Sequence, residues 1–172
     1  MGLGLGMKLK TDGAQALFTY WERLKQSARL PSTADLDLVD IAPILANIMV
    51  YEKIDDDFSI RFFGTELVRR IGIDLTGTNM SLYQDDPLCR LTVNHLNQVL
   101  DGPLILAAEF NAGTNEGPVL EIEQIMVPIA DKNGAPLCVL SHATRTKDTN
   151  AIVTLELTEG FKGLIGVQTL NL

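Results

Sequence analysis

FFGTELVRRIGIDLTGTNM, residues 62–80, is the stretch that decides how this chain is read, because strand-like alternation breaks at Gly64 and restarts as a helix. Such a junction either holds an anion on helix N–H groups or turns a corner. Arg69 and Arg70 lie nearby, but no Gly-rich run and no G-K-[ST] word accompanies them, so nothing here cradles a phosphate. A corner is expected instead. Thr65 would be the N-cap of a short helix over 65–71, Gly72 its left-handed closing residue, and Ile73 would fold back on it.

Working outward, the hydrophobic period changes twice. Upstream, Asp12 is placed to cap a helix whose Leu17, Tyr20, Trp21, Leu24 and Ala28 share one face, with Glu22, Lys25 and Gln26 opposite. Pro31 stops it, and Asp37 can cap a short second helix carrying Ile41, Pro43, Ile44 and Leu45. From Ile48 the period is two: residues 48–54 and 58–63 read as strands joined at Asp55, Asp56 and Asp57. Downstream come short segments over 65–71 and 76–83. A better helix over 87–100 follows, with Leu88, Cys89, Val93, Leu96, Val99 and Leu100 on one face.

Three strands over 103–112, 119–130 and 136–146 follow, joined by GTNEGP and DKNGAP. The order predicts an α+β fold: a five-stranded antiparallel sheet with short helices on one face, preceded by an amphipathic N-terminal helix. The expected organisation is a flexible tail over 1–11, a helical segment over 12–47, a sheet domain over 48–148 and a tail over 149–172.

Composition narrows the function. The chain has 172 residues, 46% hydrophobic and 21% charged, with a formal charge of −8. One globular domain fits those figures. The acidic balance argues against binding nucleic acid or an anionic membrane. The longest apolar run, Ile41–Tyr51, is far short of the roughly 18 residues a membrane helix needs. No signal-peptide pattern is present at the start, so a cytoplasmic protein is expected. Cys89 and Cys138 have no metal or redox spacing and read as reduced core thiols.

Other constellations have plain readings. The GLGLG start has no strand before it and no βαβ unit after it, so it is a tail rather than a dinucleotide loop. Glu121 and Glu123 alternate on one strand face and are expected to be solvated or paired with basic residues. Arg61 is expected to pair with Glu52 across the hairpin. In the strand after Val119, Leu120, Ile122 and Met126 take one face, while Ile125, Val127 and Ile129 take the other. A strand apolar on both sides must be covered on both. Tyr20, Trp21 and Leu24 are the expected cover over Ile125 and Val127, with a second subunit completing it in a homodimer.

Several words in order carry a resemblance: YW at Tyr20 and Trp21, LPS and ADLD within Leu30–Asp37, DI at Asp40 and Ile41, RFFGT over Arg61–Thr65, and G.DLTG over Gly72–Gly77. With these the chain resembles the bacterial single-domain PAS family, common in alphaproteobacteria, in which a helical segment precedes the PAS fold. Thr33 departs from it, since arginine is usual there, and Pro43 is displaced.

The resemblance implies a non-catalytic sensory or regulatory module in signal transduction, often dimeric, with a sheet curved around a small cavity. It would bind a small, largely apolar ligand or a signalling protein. The expected cavity wall is Phe62, Leu96, Val99, Leu106, Ile122, Met126 and Val139, with His95 at its edge. Haem-binding members take their axial histidine near His95, and flavin-binding ones have a reactive cysteine near Cys89. Leu88 replaces the asparagine that precedes that cysteine, and neither cofactor is expected. The alternatives are a small α+β enzyme using His95 or His142 with a carboxylate, and a ligand-free dimerisation scaffold.

Overall fold

The computed structural model describes residues 6–113, 118–147 and 161–172. Most of the GLGLG start, the body of the GTNEGP turn, residue 148 and residues 149–160 of the expected tail lie outside the described residues.

Helix α1 (Asp12–Lys25) is capped by Thr11, one residue earlier than expected. Its Oγ1 accepts a hydrogen bond from the Ala14 N–H at 3.2 Å. It ends at Gln26, whose φ of 49° turns the chain before Ala28 can join the helix. Asp37 caps the next segment as expected, accepting from Val39 N at 2.9 Å. That segment, Leu38–Asn47, is a 3₁₀ helix kinked at Ile41, two residues before Pro43, whose ring and missing N–H keep a continuous α-helix from forming.

Then follow β1 (Ile48–Ile54), β2 (Asp57–Phe63), α2 (Thr65–Ile71), a 3₁₀ turn at Met80–Tyr83, α3 (Pro87–Asp101), β3 (Leu104–Ala112), β4 (Leu120–Ala130), β5 (Pro136–Arg145) and β6 (Phe161–Asn171). The strands form one antiparallel sheet in the order β2-β1-β5-β4-β3-β6. The α+β class is as expected, with six strands in place of five. Strand β6 falls where a tail was expected. Gly163 and Gly166 break its alternation, and it lies largely exposed along the edge of β3, from Leu104 opposite Asn171 to Ala112 opposite Phe161.

The junction at Gly64 is a corner. Its N–H donates to the Ile48 carbonyl at 2.8 Å, and its own carbonyl accepts from Leu67 N and Val68 N at 3.0 Å. A Cβ there would lie 2.4 Å from the Ala46 oxygen and 2.7 Å from that of Leu45. Carbonyl oxygens packed on this spot have the wrong polarity for an anion site. Gly64, not Thr65, holds the cap position, and Gly72 closes α2 with φ 82° as expected. Ile73 does not fold back; it is exposed. The helix expected over 76–83 shrinks to its last four residues. Gly77 and Thr78 instead trade backbone hydrogen bonds with Ile60, satisfying the outer edge of β2.

The sheet separates two apolar clusters. Beneath it, α2 and α3 pack on Met49, Tyr51, Phe58, Ile60, Phe63, Ile122, Met126 and Val139. Above it, α1 sets Ala14, Leu17, Tyr20 and Trp21 against Ile48, Ile125, Val127, Ile129 and Leu140, with Leu24 half-buried beside them. Trp21 Nε1 donates to the Pro128 carbonyl at 2.7 Å, so its ring is buried with its one donor satisfied. In β2 the alternation is broken, because Val50 faces Phe62 and Tyr51 faces Ile60, leaving Arg61 as an extra residue. Phe62 is thereby turned to the outer cluster and Phe63 to the inner one. Arg61 pairs with Glu52.

Gly64→Ala is expected to cost about 2 kcal/mol or more, since the clashing atoms are backbone and cannot swing aside. Gly102→Ala, with nothing near its Cβ, serves as the neutral control. Urea unfolding midpoints of the two variants check the difference.

Candidate functional site

A cavity of about 110 Å³ lies between the inner face of the sheet and helices α2 and α3. The sheet contributes Met49, Tyr51, Ile60, Phe63, Phe110, Ile122, Gln124 and Ala143 to its wall. From α2 come Leu67, Arg70 and Ile71, from α3 Leu88, Cys89 and Thr92, and from the chain between them Leu75, Met80, Tyr83 and Asp86. Ile71, Tyr83 and Leu88 are only partly buried, so the cavity reaches the surface between the two helices.

Most polar atoms in this wall are already engaged. Gln124 Nε2 donates to Ser141 Oγ at 3.0 Å, and the Tyr51 hydroxyl donates to Met49 Sδ at 3.0 Å. Burial raises the Tyr51 phenol well above its ordinary range. Asp86 caps α3, accepting from Cys89 N at 2.7 Å, and burial raises its carboxyl. Burial, with Asp86 adding to it, pushes the Cys89 thiol up to about 11, so it is a protonated small hydrophobe rather than a nucleophile. Arg70 is 7% exposed, and burial lowers its guanidinium below its ordinary value.

Of the residues expected at the wall, Ile122 lines the cavity. Leu96, Val99, Leu106, Met126 and Val139 belong to the same inner cluster but fill core away from the cavity, and the bulge at Arg61 puts Phe62 on the opposite side. His95 is buried on α3 outside the wall, and burial lowers its pKa. Arg70, Asp86, Thr92 and Gln124 were not anticipated. Apolar alternation cannot single out polar residues whose burial depends on partners distant in sequence.

His142 lies on the outer face under α1, 2% exposed. A Cβ on Gly13 would stand 2.2 Å from its Cε1, so α1 crosses the imidazole only because residue 13 is glycine. Its Nδ1 has no hydrogen-bond partner among the described residues. Glu123 is also on this face, 1% exposed, contrary to a solvated carboxylate. It accepts from Lys10 N at 2.7 Å, Thr11 N at 2.8 Å and Thr11 Oγ1 at 2.6 Å, clasping the start of α1. Lys10 Nζ binds Glu109 at 2.5 Å and Glu121 at 3.3 Å. These carboxylates anchor a helix. Among the described residues the cavity holds one carboxylate, Asp86, and no histidine, so an acid–base pair does not converge there. No group of three or more His, Cys, Asp or Glu among them could hold a metal. No described helix is long and apolar enough to cross a membrane.

A PAS domain family model matches residues 9–143, most of the sequence. The chain belongs to the PAS domain family. Solved structures similar to this PAS chain include the light state of the blue-light photoreceptor Aureochrome1 LOV, at 13% identity over 63% of this chain and 87% of that one, with a TM-score of 0.45. Others are the Vibrio cholera VqmA-ligand-DNA complex, at 13% over 67% and 54%, TM-score 0.48, and the PAS domain of Bordetella pertussis BvgS, at 14% over 66% and 89%, TM-score 0.45. A search of curated proteins finds no match. The cavity does not fit haem or flavin. At about 110 Å³ it is well below the roughly 300 Å³ at which drug-sized ligand pockets begin, and His95 does not line it.

Burial, and secondarily the charge of Arg70, lowers His142 from its ordinary 6.5 to about 4. Its folded pKa lies below its unfolded one, so stability is full above about pH 6.5 and falls as acid drives protonation towards pH 4. The contribution is at most about 3 kcal/mol. His142→Gln is expected to flatten that part of the pH–stability curve, measured by urea unfolding between those pH values.

Proposed function

We propose that this PAS protein is a cytoplasmic, bacterial sensory or regulatory domain that holds a small, largely apolar molecule in the cavity between α2, α3 and the sheet. It has no catalysis of its own, and its output is association with another chain. PAS membership supports the sensory class. The observation that carries the ligand reading is the cavity itself, apolar over most of its wall and reaching the surface in an otherwise packed core. The formal charge of −8 is the reason no nucleic acid is proposed as a partner.

Ala143 sits on the cavity wall with room beside it. Ala143→Ile is expected to fill that space while suiting the strand. Binding of butyramide, a neutral probe with a three-carbon apolar tail, should weaken about tenfold or more by isothermal titration, with the melting temperature little changed. Undiminished binding would place the probe elsewhere.

The proposed association is a homodimer. Helix α1 already covers the outer face, and a contiguous apolar surface for a partner is offered by β6, where Leu164, Ile165 and Val167 are exposed on an edge strand. Sedimentation velocity at low micromolar concentration is expected to show a dimer, which Ile165→Lys disperses; a wild-type monomer would refute this.

A further inference from the structure

Helix α2 brings Arg70 to the cavity wall almost entirely out of water. A guanidinium held there needs compensating partners, and those it has are sparse. Nη2 donates to two neutral groups, Asn47 Oδ1 at 3.2 Å and Thr144 Oγ1 at 3.5 Å. The only carboxylate it pairs with among the described residues is that of Glu66, whose Oε1 stands 3.5 Å from Nε. That carboxylate is more tightly held by Arg69, with Nη2 at 2.6 Å from Oε1 and Nε at 2.9 Å from Oε2.

Arg69 and Arg70 therefore share one carboxylate, a local excess of positive charge in a chain whose net charge is −8. The excess meets an apolar wall, where water screens it least. Asp86, the other charged group of the wall, is committed to the backbone of α3.

We propose that the cavity takes a short monocarboxylate: the apolar tail fills the space against Ile122 and Phe110, and the carboxylate accepts hydrogen bonds from Arg70. A guanidinium presents paired donors that match a carboxylate, giving strong, charge-assisted bonds. The tail is small, since a cavity of about 150 Å³ holds one benzene and this one is about 110 Å³. A neutral ligand of the same shape would leave the excess charge uncompensated, and a doubly charged phosphate would bring more charge into an apolar wall than one buried arginine offsets. The assignment rests on the cavity being a ligand site, as proposed above.

The test is calorimetric titration of the full chain with butyrate and with butyramide, which share a three-carbon tail and differ in charge. Butyrate is expected to bind about tenfold tighter or better. Arg70→Met should abolish that preference while butyramide binding persists. Glu66→Gln, at a partly exposed position, removes the competing carboxylate and should tighten butyrate several-fold with butyramide unchanged. Should Arg70→Met not fold, the Arg70 Nε–Hε NMR signal of the wild type should move with butyrate and not with butyramide. Equal affinity for the two probes, or a butyrate affinity unmoved by Glu66→Gln, would overturn the carboxylate assignment and leave the ligand cavity standing. Failure of both probes to bind would overturn the two together.

Discussion

Strand β4 carries apolar side chains in both directions, Leu120, Ile122 and Met126 into the inner cluster and Ile125, Val127 and Ile129 into the outer one, and the architecture follows from keeping both sets dry. Each of these side chains contributes roughly 1.5–3 kcal/mol only if fully removed from water. The inner set is covered by α2 and α3, which arrive from the chain between β2 and β3. Among the described residues the outer set is covered chiefly by the segment before β1, with Leu170 and Leu172 beside it, so α1 is fastened across the sheet from the start of the domain. Its fastening is polar. The carboxylate of Glu123, buried and met by two backbone N–H groups and a hydroxyl, fixes where the helix begins, and Trp21 donates to Pro128 near its other end. A carboxylate in that place without its three donors would be a heavy liability; with them it sets the position of the helix along the sheet.

What the sequence showed well was whatever depends on local pattern. The two-sided character of β4 and the amphipathic face of α1 can be read from period, the corner at Gly64 from its turn residues, and the PAS family from the resemblance of a few ordered words. What it hid depends on single residues that break a period or on partners far apart in the chain. The extra residue at Arg61 reverses the facing of everything after it in β2, which is why Phe62 leaves the cavity side and Phe63 enters it. Thr76–Asn79 has the look of a helix start, yet the unpaired edge of β2 draws Gly77 and Thr78 into hydrogen bonds with Ile60. Glu123 alternates with Glu121 like a solvated pair, and nothing local says that the backbone of Lys10 and Thr11 will close over it. Which apolar residues border the open space is hidden too: Ile122 and Met126 share one face of β4, yet Ile122 lines the cavity and Met126 fills core, a difference set by where α2 and α3 lie and not by alternation.

Arg70 occupies a particular place in this scheme. Pairing of β1 with β5 ends at Ile48 opposite His142, while β5 runs on to Arg145. At that step in the sheet the guanidinium reaches Asn47 and Thr144, lines the cavity on the inner side, and its charge is felt by His142 on the outer side. It is thus a charged group that bears on both clusters, at the step where β1 ends and β5 runs on.

The same two strands carry the cavity wall and the seat of α1 back to back. Gln124 and Ala143 are cross-strand partners facing the cavity. Their neighbours in the chain, Glu123 and His142, face outward, one clasping Thr11 and the other lying under Gly13. A strand is too stiff for residue 124 to move without residue 123, and a close-packed interior passes on small displacements rather than absorbing them. Any change of occupancy that shifts the cavity side of β4 and β5 therefore bears directly on the N-terminal end of α1, through a single peptide unit in each strand. Glycine at position 13 makes that contact tight: a helix lying directly on an imidazole, with no side chain between, follows the sheet beneath it.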